Sequence, residues 1–188
     1  MPRSPRVEIP GGIYHITARG NRKQSIFVEA NDRVFWLWCL NKIAAESEWQ
    51  IFNYVQMGNH FHFLTRITKS NLSHGMQCLN GLYGQFFNHS HGETGHLFQG
   101  RFHSRMVETE AHLLECVRYD DLNPVRAGLV DHPVDWRWSS FRATVGLAPR
   151  PDFLLNEWVL AHFGAEPEMA RQRYFEFVVG RLEQGEAA

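Results

Sequence analysis

The sequence predicts an α+β fold, because segments with strand character alternate with longer segments of helical periodicity. Strands are indicated by short β-branched and aromatic runs, as in Ile13-Tyr14-His15-Ile16-Thr17-Ala18. Helices are indicated by apolar residues spaced three and four apart, as in Trp36, Leu37, Leu40 and Ile43. A chain of 188 residues with 44% apolar composition is long enough for one compact domain with a sizeable core.

The predicted elements follow in the order β-α-β-β-α-β-α. The strands are predicted over residues 13–18, 49–57, 60–68 and 101–109, with Gly58-Asn59 as a hairpin turn. The helices are predicted over residues 33–48, 71–88 and 110–122. We expect Asn31-Asp32 to cap the first helix and Asn123-Pro124 to end the third, since the residue before proline disfavours the α region. This order predicts an antiparallel ferredoxin-like or RRM-like sheet with helices packed on one face.

The C-terminal part has a different character from the rest of the chain. After an aromatic loop beginning at Asp135, helices are predicted over residues 156–162 and 167–183. Residues 1–150 carry 16 Lys and Arg against 13 Asp and Glu, whereas residues 151–188 carry 3 against 7. We therefore expect one domain over residues 1–145 and a mostly helical extension over residues 146–188.

Composition narrows the function classes. No apolar run approaches the ~20 residues of a membrane span and no signal-peptide pattern is present, so a cytoplasmic protein with no membrane partner is expected. Cys39, Cys78 and Cys116 are too far apart for a zinc knuckle. The net charge of −1 does not by itself favour nucleic-acid binding, but 16 of the 19 basic residues are Arg, which suits phosphate and base edges. A general compositional bias would explain the arginines equally well.

His60-Phe61-His62 is the sharpest local motif. Side chains alternate across a strand, so both imidazoles face the same side and can chelate one metal ion, while Phe61 and Phe63 point into the core. A chain with 11 histidines also produces such pairs by chance. The second pair, His89-Ser90-His91, lies in a glycine-rich segment that we interpret as a polar surface loop.

Tyr119 and Asn123 form the second motif. Positions i and i+4 share a helix face, so the phenol would approach a bound phosphate while the amide oxygen completes a metal site. Each residue alone is more typical of packing or of a helix end. Asp120 and Asp121 offer a carboxylate to the metal or the phenol, or else are solvated helix charges. Tyr83 is a rival nucleophile, but its apolar helix stripe favours the core.

Four ordered blocks within residues 6–145 resemble the IS200-like transposases, and among them the REP-associated tyrosine transposases. The blocks are residues 10–21 (PGGIYHITARGN), 57–62 (MGNHFH), 95–102 (GHLFQGRF) and 119–129 (YDDLNPVRAGL). The resemblance implies that His60 and His62 are the metal-binding histidines of an HUH nuclease, that Tyr119 is the single nucleophile and that Asn123 is the third ligand. It also implies cleavage and rejoining of single-stranded DNA beside a hairpin, through a 5′-phosphotyrosine intermediate.

The predicted cofactor is Mg²⁺ or Mn²⁺, since imidazole and amide-oxygen ligands suit these ions better than a structural zinc does. Strand transfer through a covalent link needs no nucleotide cofactor, and a monomer is favoured over a homodimer. Candidate DNA-binding residues, each more typical of phosphate contacts than of base readout, are Arg3, Arg6, Arg19, Asn21, Arg22, Arg101, His103 and Arg105.

Two alternatives remain open from the sequence. One is a non-catalytic module on the same fold that binds hairpin DNA or RNA, with His60 and His62 as surface residues. The other is a zinc hydrolase in which a third histidine, such as His15 or His103, joins His60 and His62 and a metal-bound hydroxide replaces the tyrosine.

Overall fold

The computed structural model describes residues 6–183, and within them one antiparallel sheet organises the fold. Its strands are β1 (Ile13–Arg19), β2 (Gln50–Gln56), β3 (His60–Arg66) and β4 (His103–Val107). They lie in the order β2-β3-β1-β4, with every pair antiparallel. The α+β class and the antiparallel sheet predicted from the sequence are confirmed.

Six α-helices accompany the sheet within the described part of the chain. They are α1 (Ala30–Ser47), α2 (Leu72–His91), α3 (Glu110–Arg126), α4 (Phe141–Thr144), α5 (Glu157–Leu160) and α6 (Pro167–Glu183). No helix between residues 6 and 183 is long and apolar enough to cross a membrane.

The two faces of the sheet carry separate cores. Helices α1 and α2 cover the face formed by the alternate residues Tyr14, Ile16, Phe61 and Phe63, as predicted. Helix α3 lies on the opposite face instead, where Leu113, Val117 and Leu122 pack with Leu64 and Val107. The prediction of helices on one face therefore holds for α1 and α2 only. The second face has enough apolar residues at one end of the sheet to bury α3, while its other end is polar.

The C-terminal helices pack on the second core. Val159 and Leu160 of α5, with Tyr174 and Val178 of α6, are buried beside Phe52 of β2 and Leu122 of α3. The hydroxyl of Tyr174 donates a hydrogen bond to Asp121 in α3. Residues beyond 145 therefore contribute to the same hydrophobic core that α3 packs against.

Several element ends differ from the sequence prediction for local reasons. Helix α1 begins at Ala30, because Asp32 caps it from within the first turn by accepting hydrogen bonds from the backbone N–H groups of Val28 and Glu29, both at 2.8 Å. Helix α2 continues through His91 to a left-handed cap at Gly92 (φ 65°), so His89-Ser90-His91 lies on a helix and not in a loop. Strand β4 is shorter than predicted at both ends.

Helix α3 runs through Pro124 to Arg126 and does not stop at residue 122. A proline inside a helix removes one backbone donor and crowds the preceding turn. Burial of Leu122, Asn123 and Pro124 holds the last turn in place, and the N–H of Ala127 closes it on the carbonyl of Asn123 at 3.0 Å. Asn123 is consequently a helical residue, one turn after Tyr119.

Candidate active site

The two histidines of the His-x-His motif lie on the polar end of the α3-covered face. His60 and His62 alternate with the fully buried Phe61 and Phe63, and their ring centroids are 5.0 Å apart. The antiparallel register places Arg19 opposite His60 and Thr17 opposite His62 on β1. The sheet alone therefore brings two imidazoles, a hydroxyl and a guanidinium to one surface.

In both His60 and His62, an oxygen atom of a neighbouring side chain lies within hydrogen-bonding distance of Nδ1. The amide oxygen of Asn59 lies 2.6 Å from Nδ1 of His60, and the hydroxyl of Thr17 lies 3.0 Å from Nδ1 of His62. An acceptor at Nδ1 favours the tautomer that carries its proton there, which leaves Nε2 with a free electron pair. Nε2 is therefore the ligand atom that both rings offer.

The buried carboxylate of Asp120 contacts two histidines, His15 and His62. Its Oδ1 lies 2.9 Å from Nε2 of His15 and 3.5 Å from Nδ1 of His62. Its Oδ2 is buried without a hydrogen-bond partner among the described residues. His15, His62 and Asp120 are close enough for one ion to touch all three, and no other metal-capable cluster of His, Cys, Asp and Glu occurs within residues 6–183.

Burial controls the charge of the histidines. Desolvation, together with the neighbouring imidazole and Arg19, lowers the pKa of His60 to about 4. Desolvation also outweighs the attraction of Asp120 and lowers the pKa of His62 to about 4. Burial acts in the same sense on His15, but the charge and hydrogen bond of Asp120 are stronger there and raise its pKa. His60 and His62 are neutral near pH 7, the form that binds metal ions.

Tyr119 and Asn123 reach this surface from α3, as the i, i+4 spacing predicted. The Tyr119 ring centroid lies 5.7 Å from that of His62, and 43% of the tyrosine is exposed. The buried Asn123 amide nitrogen lies 3.3 Å from Nε2 of His62. Rotation of this amide about its Cβ–Cγ bond would present the oxygen instead.

A shallow cavity of about 420 Å³ opens beside Tyr119. Besides His15, His62 and Tyr119, its wall includes three arginines, Arg105, Arg118 and Arg126. The Arg126 guanidinium lies 5.2 Å from the centre of the Tyr119 ring. This combination of imidazoles, an exposed phenol and cations suits a phosphodiester.

The candidate DNA-binding residues divide into three groups. Arg19, His103 and Arg105 are exposed on the same sheet face as the histidines, since His103 pairs with Thr17 and Arg105 with His15. Asn21 and Arg22 lie in a short 3-10 helix directly after β1, and Arg101 lies in the loop before β4. The side chain of Arg6 stacks 3.8 Å from the centre of the Phe102 ring and donates to Ser104. Arg3 lies outside the described residues.

The rival residues have structural roles. Tyr83 is fully buried and donates to the carbonyl oxygen of Ile26, and its pKa is raised well above the ordinary value, chiefly by burial. His91 lies 2.9 Å from Asp32 at the start of α1. His15 lies with its Nε2 2.9 Å from Oδ1 of Asp120 and shares with His62 the cluster described above, whereas His103 is exposed on β4 and is not part of that cluster.

Sequence reasoning did not assign roles to Asn59, Thr17 or Arg126. The sequence could have predicted that Thr17 and His15 lie near the site, because both occupy alternate positions of β1 on the same side as Arg19. Arg126 is seven residues after Tyr119, two helix turns along the same face. The contact between Asp120 and two histidines depends on where α3 crosses the sheet, which local patterns do not encode.

Comparison with known proteins places the chain among DNA-processing folds. The profile of the family described as "Transposase IS200 like" matches residues 9–119, more than half of the chain. No curated protein matches it. The fold is similar to that of a REP-associated tyrosine transposase bound to a REP hairpin, with a TM-score of 0.66 and 23% identity over 79% of this chain and 89% of that one. A tRNA(His) guanylyltransferase from Saccharomyces cerevisiae is less similar, with a TM-score of 0.47 and 10% identity over 94% and 82% of the two chains.

Proposed function

Because the chain belongs to the IS200-like transposase family, we propose that it cleaves and rejoins single-stranded DNA with Tyr119 as the nucleophile. The observation that carries the proposal is the position of an exposed tyrosine ring 5.7 Å from the ring of His62 in the same chain. A tyrosine that serves its own histidines makes a monomer sufficient for cleavage. The similar transposase is bound to a REP hairpin, and we propose hairpin-flanked DNA as the substrate here.

His60, His62 and Asn123 are the residues that would hold a divalent ion, Mg²⁺ or Mn²⁺. Two neutral imidazoles with Nε2 available and a buried amide beside one of them fit such an ion. The unpartnered Oδ2 of Asp120 adds negative charge beneath the site. When bound, the ion would polarise the scissile phosphate and neutralise charge on the departing oxygen.

Asp120 and His15 act in this scheme as positioning residues. Asp120 contacts the ring nitrogen of His62 that points away from Asn123, so it orients the imidazole and leaves Nε2 available. Carboxylates that hold the far nitrogen of a metal-binding histidine are a recurrent feature of metal sites.

The proposed reaction exchanges one phosphate ester for another. The Tyr119 oxygen forms a bond to phosphorus as the bond between phosphorus and the 3′-oxygen breaks. The phenol gives up one proton and the departing 3′-oxygen takes one, so the products are a 5′-phosphotyrosine and a 3′-hydroxyl. Attack by a second 3′-hydroxyl reverses the step and joins the strands. Arg105 and Arg126 line the cavity where the phosphate would lie.

The test is formation of a covalent protein–DNA adduct. Purified protein is incubated with Mn²⁺ and a labelled hairpin oligonucleotide from the DNA flanking its own gene, then separated on a denaturing gel. We expect an adduct from the wild type and none from Tyr119→Phe, which retains the ring that contacts His62 and Arg126. An adduct from Tyr119→Phe, or none from the wild type, would contradict the proposal.

A further inference from the structure

The turn that follows β1 holds two adjacent residues in a left-handed backbone conformation. This exit turn, Asn21–Lys23, has φ values of 52° at Arg22 and 61° at Lys23. The Cβ atom crowds the following carbonyl in that conformation, so it is unfavourable for arginine and lysine. Strained backbone of this kind persists only where its surroundings hold it, and it is concentrated at active sites and ligand sites. The exit turn is therefore held by contacts with other parts of the protein.

Those contacts come from the hairpin turn that joins β2 to β3. The N–H of Gly20 donates to the carbonyl of Asn59 at 2.8 Å. The N–H groups of Ile26 and Phe27 share the carbonyl of Gly58, at 3.0 and 3.1 Å. The side chains of Ile26 and Phe27 are also buried in the core. Both ends of the exit turn are thus fixed to the segment that directly precedes β3.

Gly20 lets the exit turn close tightly. The N–H of Lys23 donates to the carbonyl of Gly20 at 3.1 Å, and that of Gln24 donates to the carbonyl of Asn21 at 2.9 Å. A Cβ atom at position 20 would lie 2.2 Å from the carbonyl oxygen of Gln24, too close for any residue other than glycine. This close approach leaves the backbone of Lys23 little freedom, so its carbonyl has a defined direction.

The side chain of Asn59 lies between the Lys23 carbonyl and His60. Its Nδ2 donates to that carbonyl at 3.0 Å, and its Oδ1 lies 2.6 Å from Nδ1 of His60. A carbonyl oxygen only accepts, so it faces the NH₂ end of the amide and leaves the oxygen end facing the imidazole. An amide oxygen also only accepts, so Nδ1 of His60 carries the proton and Nε2 keeps its electron pair. The Lys23 carbonyl therefore selects, through one amide, the nitrogen that is free to bind metal.

The side chains of the exit turn take no part in these contacts. Arg22 and Lys23 are exposed, and neither side chain has a hydrogen bond or an ion pair with the described residues. The group that contacts Asn59 is a backbone carbonyl, whose direction depends on φ and ψ. The backbone effect can therefore be tested separately from the charge of the lysine.

We propose that the exit turn is a positioning element for the metal site: the Lys23 carbonyl orients Asn59, and Asn59 keeps the His60 proton on Nδ1 before any ion is bound. Loss of such supporting partners commonly lowers metal affinity by about 10- to 100-fold. The inference rests on His60 being a metal ligand, as proposed above. It accounts for the unfavourable backbone at Lys23, since a right-handed conformation there would turn the carbonyl away from Asn59.

The first test replaces Lys23 by two uncharged residues that differ in backbone preference. Glycine adopts a positive φ readily, so Lys23→Gly should keep the carbonyl in place. Proline is fixed at a φ of about −65°, so Lys23→Pro cannot adopt the native 61° and should move the carbonyl. Nitrogen-15 NMR of the metal-free protein locates the His60 proton. We expect it on Nδ1 in the wild type and Lys23→Gly, and shared between both nitrogens in Lys23→Pro.

The second test changes Asn59 itself. Asn59→Ala removes both hydrogen bonds, so the His60 proton should lose its preference for Nδ1. The affinity for Mn²⁺, measured by electron paramagnetic resonance, should fall by about tenfold or more in Asn59→Ala and in Lys23→Pro. Asn59→Asp keeps an oxygen beside Nδ1 and should restore the proton to that nitrogen. Asn41→Ala, at an exposed residue of α1, is the matched control and should behave like the wild type. Thermal melting checks that each variant is folded.

A His60 proton on Nε2 in the wild type would overturn the proposal, as would the wild-type tautomer and Mn²⁺ affinity in folded Asn59→Ala. If Lys23→Gly behaves like Lys23→Pro, the lysine side chain is responsible and the assignment to the carbonyl is wrong.

These measurements use no DNA, so they are independent of the adduct assay. If they give the expected results but the wild type forms no adduct, the chemistry assigned to Tyr119 is wrong and the positioning role stands. If the wild type forms the adduct but Asn59→Ala keeps the wild-type tautomer and affinity, the chemistry stands and the positioning role is removed.

Discussion

The carboxylate of Asp120 lies 3.5 Å from Nδ1 of His62, while the other nitrogen of that ring faces Asn123. Together with the Thr17 hydroxyl, 3.0 Å from the same Nδ1, this buried carboxylate favours a proton on Nδ1 and leaves Nε2 as the ligand atom. Asp120 is adjacent in sequence to Tyr119, so the same helix turn carries the proposed nucleophile and the carboxylate that contacts His15 and His62.

Asp120→Asn should weaken metal binding without unfolding the protein. An amide carries no charge, and loss of such supporting partners commonly lowers metal affinity by about 10- to 100-fold. Mn²⁺ titration followed by electron paramagnetic resonance measures the affinity. Nitrogen-15 NMR of the metal-free protein should show the His62 proton on Nδ1 in the wild type.

Asp131→Asn, at an exposed carboxylate after α3, is the control and should keep the wild-type affinity. Wild-type affinity in Asp120→Asn, or a His62 ring protonated on Nε2, would be incompatible with the positioning role.

Arg19→Ala and Arg105→Ala should each reduce the salt dependence of DNA binding. A cation that contacts one phosphate of a single strand contributes a slope of about 0.7 in log affinity against log salt. The two arginines are exposed beside the histidines at the polar end of the α3-covered face, so each variant should lose about that amount. Anisotropy titrations over a range of salt concentrations measure the slope.

Lys42→Ala is the matched control, because Lys42 pairs with Glu46 on α1, across the sheet from the histidines. The assignment of the DNA path fails if the arginine variants keep the wild-type slope.

Stability should depend on pH through Asp121. Burial raises the pKa of this carboxyl to about 7, despite hydrogen bonds from Tyr174 and Asn53. The unfolded chain releases that proton near pH ~4. At this carboxyl the folded state holds more protons between these values, so the stabilising contribution of Asp121 is lost as pH rises from about 4 to about 7 and opposes the gain from His60 and His62, whose pKa values are lowered.

Asp121→Asn removes this contribution, so between pH about 4 and about 7 the free energy of unfolding of the variant should change more favourably than that of the wild type, by on the order of a few kcal/mol. Urea unfolding at several pH values measures it. Exposed Asp131→Asn should follow the wild type, and a pH dependence in Asp121→Asn equal to that of the wild type would refute the explanation.

Gly75→Ala should destabilise the fold although alanine favours helices. The new Cβ would lie 2.3 Å from Cζ2 of Trp49, whose indole N–H donates to Asn71 at 3.0 Å. Overpacking of this kind costs about 1–3 kcal/mol, more than the gain of about 1 kcal/mol in helix propensity. Gly180→Ala, with no such contact, should be at least as stable as the wild type. Urea unfolding distinguishes them, and a stabilised Gly75→Ala would show that Trp49 can move.

The sequence predicted those features that depend on periodicity. Alternation along β3 predicted that His60 and His62 share a face, and the i, i+4 spacing predicted that Tyr119 and Asn123 do. The side of the sheet on which α3 packs was not predictable, because it depends on Leu64, Val107 and Phe52 meeting side chains far away in sequence. The same long-range packing brings Asp120 to His15, and it retains a helical turn at Pro124 where local rules predict an end.

The hydrogen bond from Tyr174 to Asp121 has a practical consequence for work with this protein. It joins the last long helix to the turn of α3 that carries Tyr119, so a shortened protein ending at residue 145 would lose that support and expose the apolar side of α3. A shortened protein that keeps this packing must therefore extend at least through Val178. A fusion partner should therefore be attached after α6 and should not replace that helix.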